Sequence, residues 1–268
     1  MNMITIPANY YEQFDADYNL DVPAEGFGGW KKTSVEINPE RTAVVSMHAW
    51  DCGTREQYPG WYRVAEFLPR TKEICRSVFP PLLTAVRNSR LKLYHVSSSE
   101  DYCKEYEGYK IASKLNPSVA GKLQCADEDE SYNKLQKFRQ DSAYLGIHNQ
   151  NDIEYGVGKI RFPKEAEPMG HEGIAVNADQ LFALCKRDGV NHLIYIGFAI
   201  NWCLQASEGG MIDMERRGMI CSTIRQAVTA VENKETARSE MCKELALWRI
   251  AVAFGFVFDS DDFINAIL

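Results

Sequence analysis

The sequence predicts an α/β fold, a three-layer sandwich built around a six-stranded parallel sheet. Short apolar runs rich in valine, isoleucine and tyrosine alternate along the chain with longer stretches whose apolar residues recur every three or four positions. The short runs are typical of strands buried on both faces, and the longer stretches are typical of amphipathic helices. Strands and helices in this alternation form right-handed βαβ units, which build a parallel sheet. A chain of 268 residues with 45% hydrophobic residues is also long enough to bury such a core.

The predicted elements begin after an N-terminal arm. Residues 1–40 carry aromatic and acidic side chains without a repeating period, so we expect an irregular arm that packs over the domain or onto a partner subunit. Residues 41–268 are expected to form the sheet domain. Strands are predicted at residues 42–47, 91–96, 159–163, 192–196, 219–224 and 256–258. Helices are predicted at residues 63–78, 81–88, 178–186, 204–217, 237–254 and 260–268.

The longest predicted connection separates the second strand from the third. Residues 101–158 are polar, and the pattern predicts only one helix there, at residues 131–140. A connection of this length without a strand is unusual in a compact domain. We therefore interpret residues 101–158 as an insertion that acts as a lid or as an oligomer contact.

Composition excludes several classes of partner. The net charge is −7 and the pI is near 5.4, with the 30 basic residues scattered along the chain. This argues against a surface for nucleic acid or for an anionic membrane. Neither a positively charged leader nor a long apolar run is present, so we expect no membrane contact and a cytoplasmic location. The eight cysteines are dispersed without a Cys-x-x-Cys pair, which favours reduced thiols over disulfides or a zinc site.

One cysteine occupies a position suited to a nucleophile. Residues 197–203 read Gly-Phe-Ala-Ile-Asn-Trp-Cys and lie between the predicted strand at 192–196 and the predicted helix at 204–217. Cys203 is thus expected on a sharp strand-to-helix turn. Unpaired backbone N–H groups at a helix start can stabilise a thiolate and hold the oxyanion of a tetrahedral intermediate. The alternative is that Cys203 is a buried small hydrophobe, as most free cysteines are.

Residues 197–203, with Asp-Gly-Val at 188–190 and Arg-Gly at 217–218, resemble the nucleophile region of the isochorismatase-like cysteine hydrolases. The resemblance covers about residues 40–268. It implies a small-molecule substrate, a homo-oligomer, a cis peptide bond between Ala199 and Ile200, and a catalytic triad of aspartate, lysine and cysteine. The residues that it places around the substrate are Ser46, Trp50, Ile200, Asn201 and Trp202.

The sequence departs from that family at the aspartate. Aligning Met47 with the methionine that follows the family's aspartate puts Ser46 at the aspartate's position. Because serine cannot act as a carboxylate base near neutral pH, another group would have to move the proton. His48 and Asp51, in the loop after the strand, are the candidates. The alternatives are that His48 is a polar wall of the pocket and that Asp51 is a turn or helix-capping residue.

The lysine of the triad is expected directly after the third strand. Lys164 follows the predicted strand at residues 159–163, and its ammonium group would lower the thiol pKa and stabilise developing negative charge. A surface lysine is the alternative. The sequence contains no Asp-x-His-x-His-like cluster after the second strand, so we predict no metal and no cofactor.

These residues support a hydrolase as the first functional hypothesis. Cys203 would attack the acyl carbon of a small amide or related C–N bond, and water would resolve the acyl-enzyme. A second hypothesis is a catalytically silent member of the family that binds a small molecule or serves as a structural subunit, and it predicts an inert Cys203. A third is hydrolysis of a vinyl ether without a covalent step, as in isochorismate-cleaving relatives.

Overall fold

A computed structural model describes residues 3–116 and 126–268. Its strands are β1 (Ile4–Glu12), β2 (Gly29–Ile37), β3 (Thr42–Met47), β4 (Lys92–Val96), β5 (Gly173–Ala175), β6 (His192–Gly197), β7 (Ile220–Val228) and β8 (Val257–Phe258). They form one sheet in the order β2-β1-β8-β7-β6-β3-β4-β5. The six strands from β8 to β5 run parallel, as expected, whereas β1 is antiparallel to β8 and β2 is antiparallel to β1. The predicted α/β class is confirmed, and the sheet has eight strands rather than six.

The helices cover both faces of this sheet. They are α1 (Pro59–Val64), α2 (Leu68–Ser77), α3 (Phe79–Asn88), α4 (Glu107–Leu115), α5 (Glu130–Ser142), α6 (Gln150–Val157), α7 (Ala178–Asp188), α8 (Cys203–Ala206), α9 (Met211–Glu215), α10 (Met241–Ala253) and α11 (Ser260–Ile267). Buried side chains of α2, α3 and α11 pack on one face, and those of α4, α7, α9 and α10 pack on the other. Neighbouring strand residues alternate between the two layers, so Val44 lies in the first and Val45 in the second.

The prediction of an irregular N-terminal arm is wrong. Strands β1 and β2 pair along their whole length, from Ile4 opposite Ile37 to Glu12 opposite Gly29. Two features hide them in the sequence: β2 is mostly exposed and therefore lacks an apolar pattern, and β1 contains Pro7, which usually argues against an inner strand. Pro7 is tolerated because β1 pairs with β8 only at Ala8 and Asn9.

The third predicted strand is also wrong. Residues 159–163 make a single antiparallel bridge, between Arg161 and Asp51, and the strand that pairs with β4 is β5. Strand β5 itself has only three residues, Gly-Ile-Ala, and the apolar run that contains it ends at Val176, which is too short to give a periodic signal. Lys164 consequently lies in a 3-10 turn, Lys164–Ala166, before the third parallel strand rather than at its end.

The expected long helix after Cys203 is divided into two short ones. Helix α8 ends at Ala206 and α9 begins at Met211. Gly209 and Gly210 lie between them, and Gly209 has φ of +79°, a left-handed conformation that a helix does not accept. The helix predicted at residues 63–78 is also interrupted: its first two residues end α1, and α2 begins at Leu68.

Residues 126–158 contribute α5 and α6 and lie beside the sheet domain. The predicted helix at 131–140 is present as α5, which has no buried side chain. Helix α6 packs on α1, where Gly60 N–H donates a hydrogen bond of 2.9 Å to Asp152 Oδ2. Among the described helices, none is long and apolar enough to cross a membrane.

Candidate functional site

The turn that carries Cys203 is fixed by backbone contacts at the carboxyl end of β6. Gly197 has φ of +123°, and a Cβ atom there would lie 1.9 Å from the carbonyl oxygen of Met47. The next residue, Phe198, donates its N–H to the same carbonyl at 3.2 Å. Only glycine fits this approach between β6 and β3. The cis peptide bond of the turn joins Phe198 and Ala199, one residue earlier than the resemblance implies.

Cys203 is the first residue of α8 and is half-buried. Its neighbour Trp202 is 47% exposed, and the Trp202 ring makes an edge contact with Tyr144 at 5.6 Å between ring centroids. Burial raises the pKa of Tyr144, and negative charge on Cys203 raises it further, so the phenol and the thiol are close enough to interact. Because α8 has only four residues, its dipole gives the thiol little support.

Some backbone N–H groups near Cys203 donate hydrogen bonds within the protein, and others do not. Ile200 N–H donates to Thr229 O at 2.7 Å, so this group is not available to an oxyanion. Within the described residues, the N–H groups of Asn201 and Cys203 donate no hydrogen bond. Asn201 uses its side chain instead: Nδ2 donates to Val231 O at 2.8 Å, and Oδ1 accepts from Val231 N–H at 2.9 Å. The turn therefore offers two free donors beside the thiol.

Neither remaining position of the family triad holds the expected residue. Ser46 lies in β3, is 2% exposed, and its Oγ has no hydrogen-bond partner in the described part of the chain. The residue after β5, where the resemblance implies a lysine, is Val176. The Val176 N–H donates to Gln180 Oε1 at 2.9 Å, and this hydrogen bond joins the end of β5 to the first turn of α7. The assignment of Lys164 as the residue that ends the third strand is therefore corrected.

His48 is held in a buried, uncharged form. It has φ of +49°, and its N–H donates to Val96 O at 2.9 Å, which ties the loop after β3 to β4. The side chain is buried, and burial lowers its pKa to about 4. An imidazole with this pKa is neutral at pH 7 and is a weaker base than an ordinary histidine.

Three of the predicted site residues meet at a cavity of about 310 Å³, which we call the Lys72 cavity. It lies between the loop after β3, helix α2 and the turn at Lys164. The residues that line it are Trp50, Asp51, Cys52, Leu68, Thr71, Lys72, Cys75, Pro163, Lys164 and Glu165. Cys203, Ile200, Asn201 and Trp202 do not line this cavity.

The charges of the Lys72 cavity are only partly compensated. Asp51 is engaged by Gly53 N–H at 2.9 Å and by the Arg161 guanidinium at 3.5 Å. Lys72 Nζ donates to Gly53 O at 2.7 Å and lies over the Tyr62 ring. Neither Lys72 nor Lys164 forms an ion pair with a carboxylate of the described residues.

The thiols of this cavity are unlike Cys203. Burial raises the pKa of Cys52 to about 11 and that of Cys75 to about 12, so both are protonated at neutral pH. Sequence reasoning missed Lys72 and Cys75, although Leu68, Lys72 and Cys75 share one face of a predicted helix. That spacing shows which residues of α2 are neighbours but not what lies opposite them.

Comparisons with known proteins match the fold but not the sequence. No protein-family model matches the chain, and no curated protein matches it. A cysteine hydrolase from Pseudomonas syringae pv. phaseolicola 1448A has 16% identity and a TM-score of 0.47, covering 86% of this chain and 94% of that one.

Two further solved structures are similar. An isochorismatase family protein from Burkholderia thailandensis has 13% identity and a TM-score of 0.44, with 86% of this chain and 97% of that one covered. N-carbamoylsarcosine amidase from Thermoplasma acidophilum has 12% identity and a TM-score of 0.39, with 82% and 97% covered. This chain is similar to these hydrolases, and similarity at this level assigns no role to any of its residues.

Proposed function

We propose that this protein binds a small molecule in the Lys72 cavity and is catalytically silent at Cys203. The observation that carries the proposal is that Lys164 and Asp51 line the cavity, whereas Cys203 does not. A thiolate needs a base or a cation within hydrogen-bond reach to act as a nucleophile at neutral pH. Ser46 and Val176 occupy the positions from which the family would supply those groups.

The ligand of the Lys72 cavity is expected to be small and to carry a negative group. Lys72 and Lys164 present ammonium groups without a carboxylate partner among the described residues, and an anion bound between them would supply one. Glu165 lines the same cavity and favours a ligand that also carries a hydrogen-bond donor. The volume of about 310 Å³ lies at the small end of the range for metabolite-sized ligands.

Calorimetric titration with a panel of small carboxylates and their neutral amides tests the proposal. We expect at least one carboxylate to bind and its amide to bind about tenfold more weakly or not at all. Lys72→Met and Lys164→Met should each weaken that binding by a similar factor, whereas Lys234→Met, at a lysine 90% exposed, should not change it. Equal affinity for acids and amides, or full binding by both variants, would contradict the assigned cavity.

A second candidate function is a Cys203-dependent amide hydrolase. The observation in its favour is the half-exposed thiol beside the unengaged N–H groups of Asn201 and Cys203, which could hold an oxyanion. The thiolate would add to the amide carbon, the amine would leave with a proton, and water would cleave the resulting thioester to acid and free thiol.

Ammonia release from small primary amides distinguishes the two functions. Turnover that is lost in Cys203→Ala and retained in Lys72→Met would establish the hydrolase and contradict the silent site. Turnover that survives Cys203→Ala would indicate hydrolysis without a covalent step. We expect no turnover above the buffer rate in the wild-type protein or in either variant.

A further inference from the structure

Helix α5 stands away from the body of the protein. None of its thirteen residues is buried, although isolated helices of this length are marginal in water. The helix encloses a groove of about 640 Å³, which we call the α5 groove. Its floor on the sheet domain is Trp202, next to Cys203. The other residues that line it are Glu128, Tyr132, Asn133, Gln136, Arg139, Gln140, Ala143 and Tyr144.

The groove presents flat aromatic surfaces. Trp202 is 47% exposed and Tyr144 is 51% exposed, and their rings meet edge to face with an interplanar angle of 64°. Tyr132 lies on the α5 side of the same groove. Exposed aromatic rings that line a common groove offer faces on which a planar ring can stack.

Arg139 is the cation of this groove, and its guanidinium is not neutralised. Its Nη1 donates to Gln136 Oε1 at 3.2 Å, and no ion pair joins it to a carboxylate of the described residues. The lysines of the same helix differ, since Lys134 pairs with Glu130 at 2.6 Å and Lys137 pairs with Asp141 at 2.8 Å. Glu128 precedes the first turn of α5, whereas Arg139 is in the last turn, so the carboxylate and the guanidinium of the groove lie at opposite ends of the helix.

We propose that the α5 groove binds a planar aromatic carboxylate, with its ring against Trp202 and Tyr144 and its carboxylate at Arg139. A guanidinium binds a carboxylate through two parallel N–H donors, and the ring contacts fix the plane of the ligand. The side-chain amides of Asn133, Gln136 and Gln140 can then bond to ring substituents. This site is distinct from the Lys72 cavity, with which it shares no lining residue.

Fluorine NMR of 4-fluorobenzoate with the full-length protein tests this site. We expect saturable line broadening by the wild-type protein and at least tenfold weaker binding by Arg139→Gln. Trp202→Leu should weaken binding of both 4-fluorobenzoate and its neutral amide, whereas Arg139→Gln should affect only the acid. Lys134→Gln, on the same helix but outside the groove, should leave both affinities within twofold of the wild type, and circular dichroism checks that each variant is folded.

Several outcomes would overturn the proposal. Absence of saturable binding at millimolar probe would do so, as would equal binding of cyclohexanecarboxylate, which has no planar ring and is measured by competition. Binding that is lost in Lys72→Met but kept in Arg139→Gln would place the probe in the Lys72 cavity instead, and would leave the proposed function intact while removing this one.

Discussion

The turn around Cys203 and the Lys72 cavity each contain half of what a cysteine hydrolase needs. The turn has an accessible thiol and free backbone donors, but no hydrogen bond or ion pair joins that thiol to a charged side chain of the described residues. The cavity has two lysines and two carboxylates, but its thiols are buried and protonated. A nucleophile and its proton acceptor act only when they touch, and the proposal of a silent Cys203 rests on this difference between the turn and the cavity.

The largest expected effect is a loss of stability caused by a substitution at Gly197, in the turn that precedes Cys203. Gly197→Ala places a Cβ atom 1.9 Å from the Met47 carbonyl oxygen at φ of +123°, so β6 and β3 must move apart. We expect a loss of more than about 3 kcal/mol in the free energy of unfolding, measured by urea denaturation.

Gly218→Ala is the matched control for that substitution. Gly218 also has a positive φ, +84°, but no described atom lies within 4 Å of the position that a Cβ would take there, so only backbone strain of about 1 kcal/mol is expected. Similar losses for the two variants would show that the close approach between β6 and β3 does not hold the turn.

The loop that leads to the Lys72 cavity should make the protein sensitive to acid. Burial lowers the pKa of His48 to about 4. Between pH 6.5 and 4, His48 is therefore protonated in the unfolded chain but neutral in the folded protein. Stability is therefore complete above pH 6.5 and falls as the pH drops towards 4. Asparagine tolerates the left-handed backbone at this position, so His48→Asn should lose about 2 kcal/mol less stability than the wild type between pH 6.5 and 4.5.

Urea denaturation at several pH values measures this difference. His192, whose pKa is also lowered to about 4 by burial, acts in the same direction and remains in both proteins. Burial raises the pKa of Glu172, but its hydrogen bonds with His95 and Arg87 outweigh burial and lower the pKa to about 2. Protonation of Glu172 in the unfolded chain therefore reduces stability only below about pH 4.5. Parallel stability curves for His48→Asn and the wild type would mean that His48 is solvated in the folded state.

These two regions also show what a single sequence can predict. Strands β3 and β6 are buried on both faces, so their continuous apolar runs identify them, and the turn after β6 follows from Gly197 and the change of period. Strand β5 has three residues and no such signal, whereas the stronger pattern at residues 159–163 belongs to a segment that makes only one bridge. Pairing in the sheet, not local propensity, selects the strand.

The site is harder to predict than the fold because its parts meet through tertiary packing. Cys203 follows from its local turn, and Trp50 and Asp51 follow from their place after a strand. Lys72 comes from a helix, and only the packing of α2 against the loop after β3 brings it to Asp51. The position of Lys164 before the third parallel strand, rather than at its end, likewise depends on where β5 pairs, which no local pattern contains.

A smaller effect is expected at Asn201, which the resemblance places at the substrate. Its side chain bonds both backbone groups of Val231, at 2.8 and 2.9 Å, and thereby fixes the turn to the segment after β7. Asn201→Ala should lower the free energy of unfolding by about 2 kcal/mol, because two partly buried backbone groups lose their partners. Asn19 is exposed and its side chain bonds to Asp17 alone among the described residues, so Asn19→Ala should change the free energy of unfolding by less than about 0.5 kcal/mol. Equal effects would show that Asn201 faces solvent and remains free to contact a ligand.

The smallest expected difference concerns Cys203 and Cys242, the two cysteines of the described residues that are not buried. Cys203 and Cys242 are both half-buried, whereas Cys52, Cys75, Cys103, Cys185 and Cys221 are buried. Cys242 lies near the start of α10, a thirteen-residue helix, and its thiol contacts Thr236 Oγ1 at 3.3 Å. A catalytically silent Cys203 should react with iodoacetamide at pH 7 at a rate within about threefold of Cys242, because neither thiol has an ion-pair partner among the described residues.

Peptide mass mapping after brief alkylation measures both rates in one sample, with the buried thiols as the slow reference. Cys125 lies outside the described residues, so the measurement is repeated in Cys125→Ser to exclude exchange with it. A Cys203 that reacts more than about tenfold faster than Cys242 is a thiolate stabilised by groups that close on it in solution. The lack of a charged partner for Cys203 would then apply to one conformation only. The amide hydrolase would be better supported than the silent binding protein.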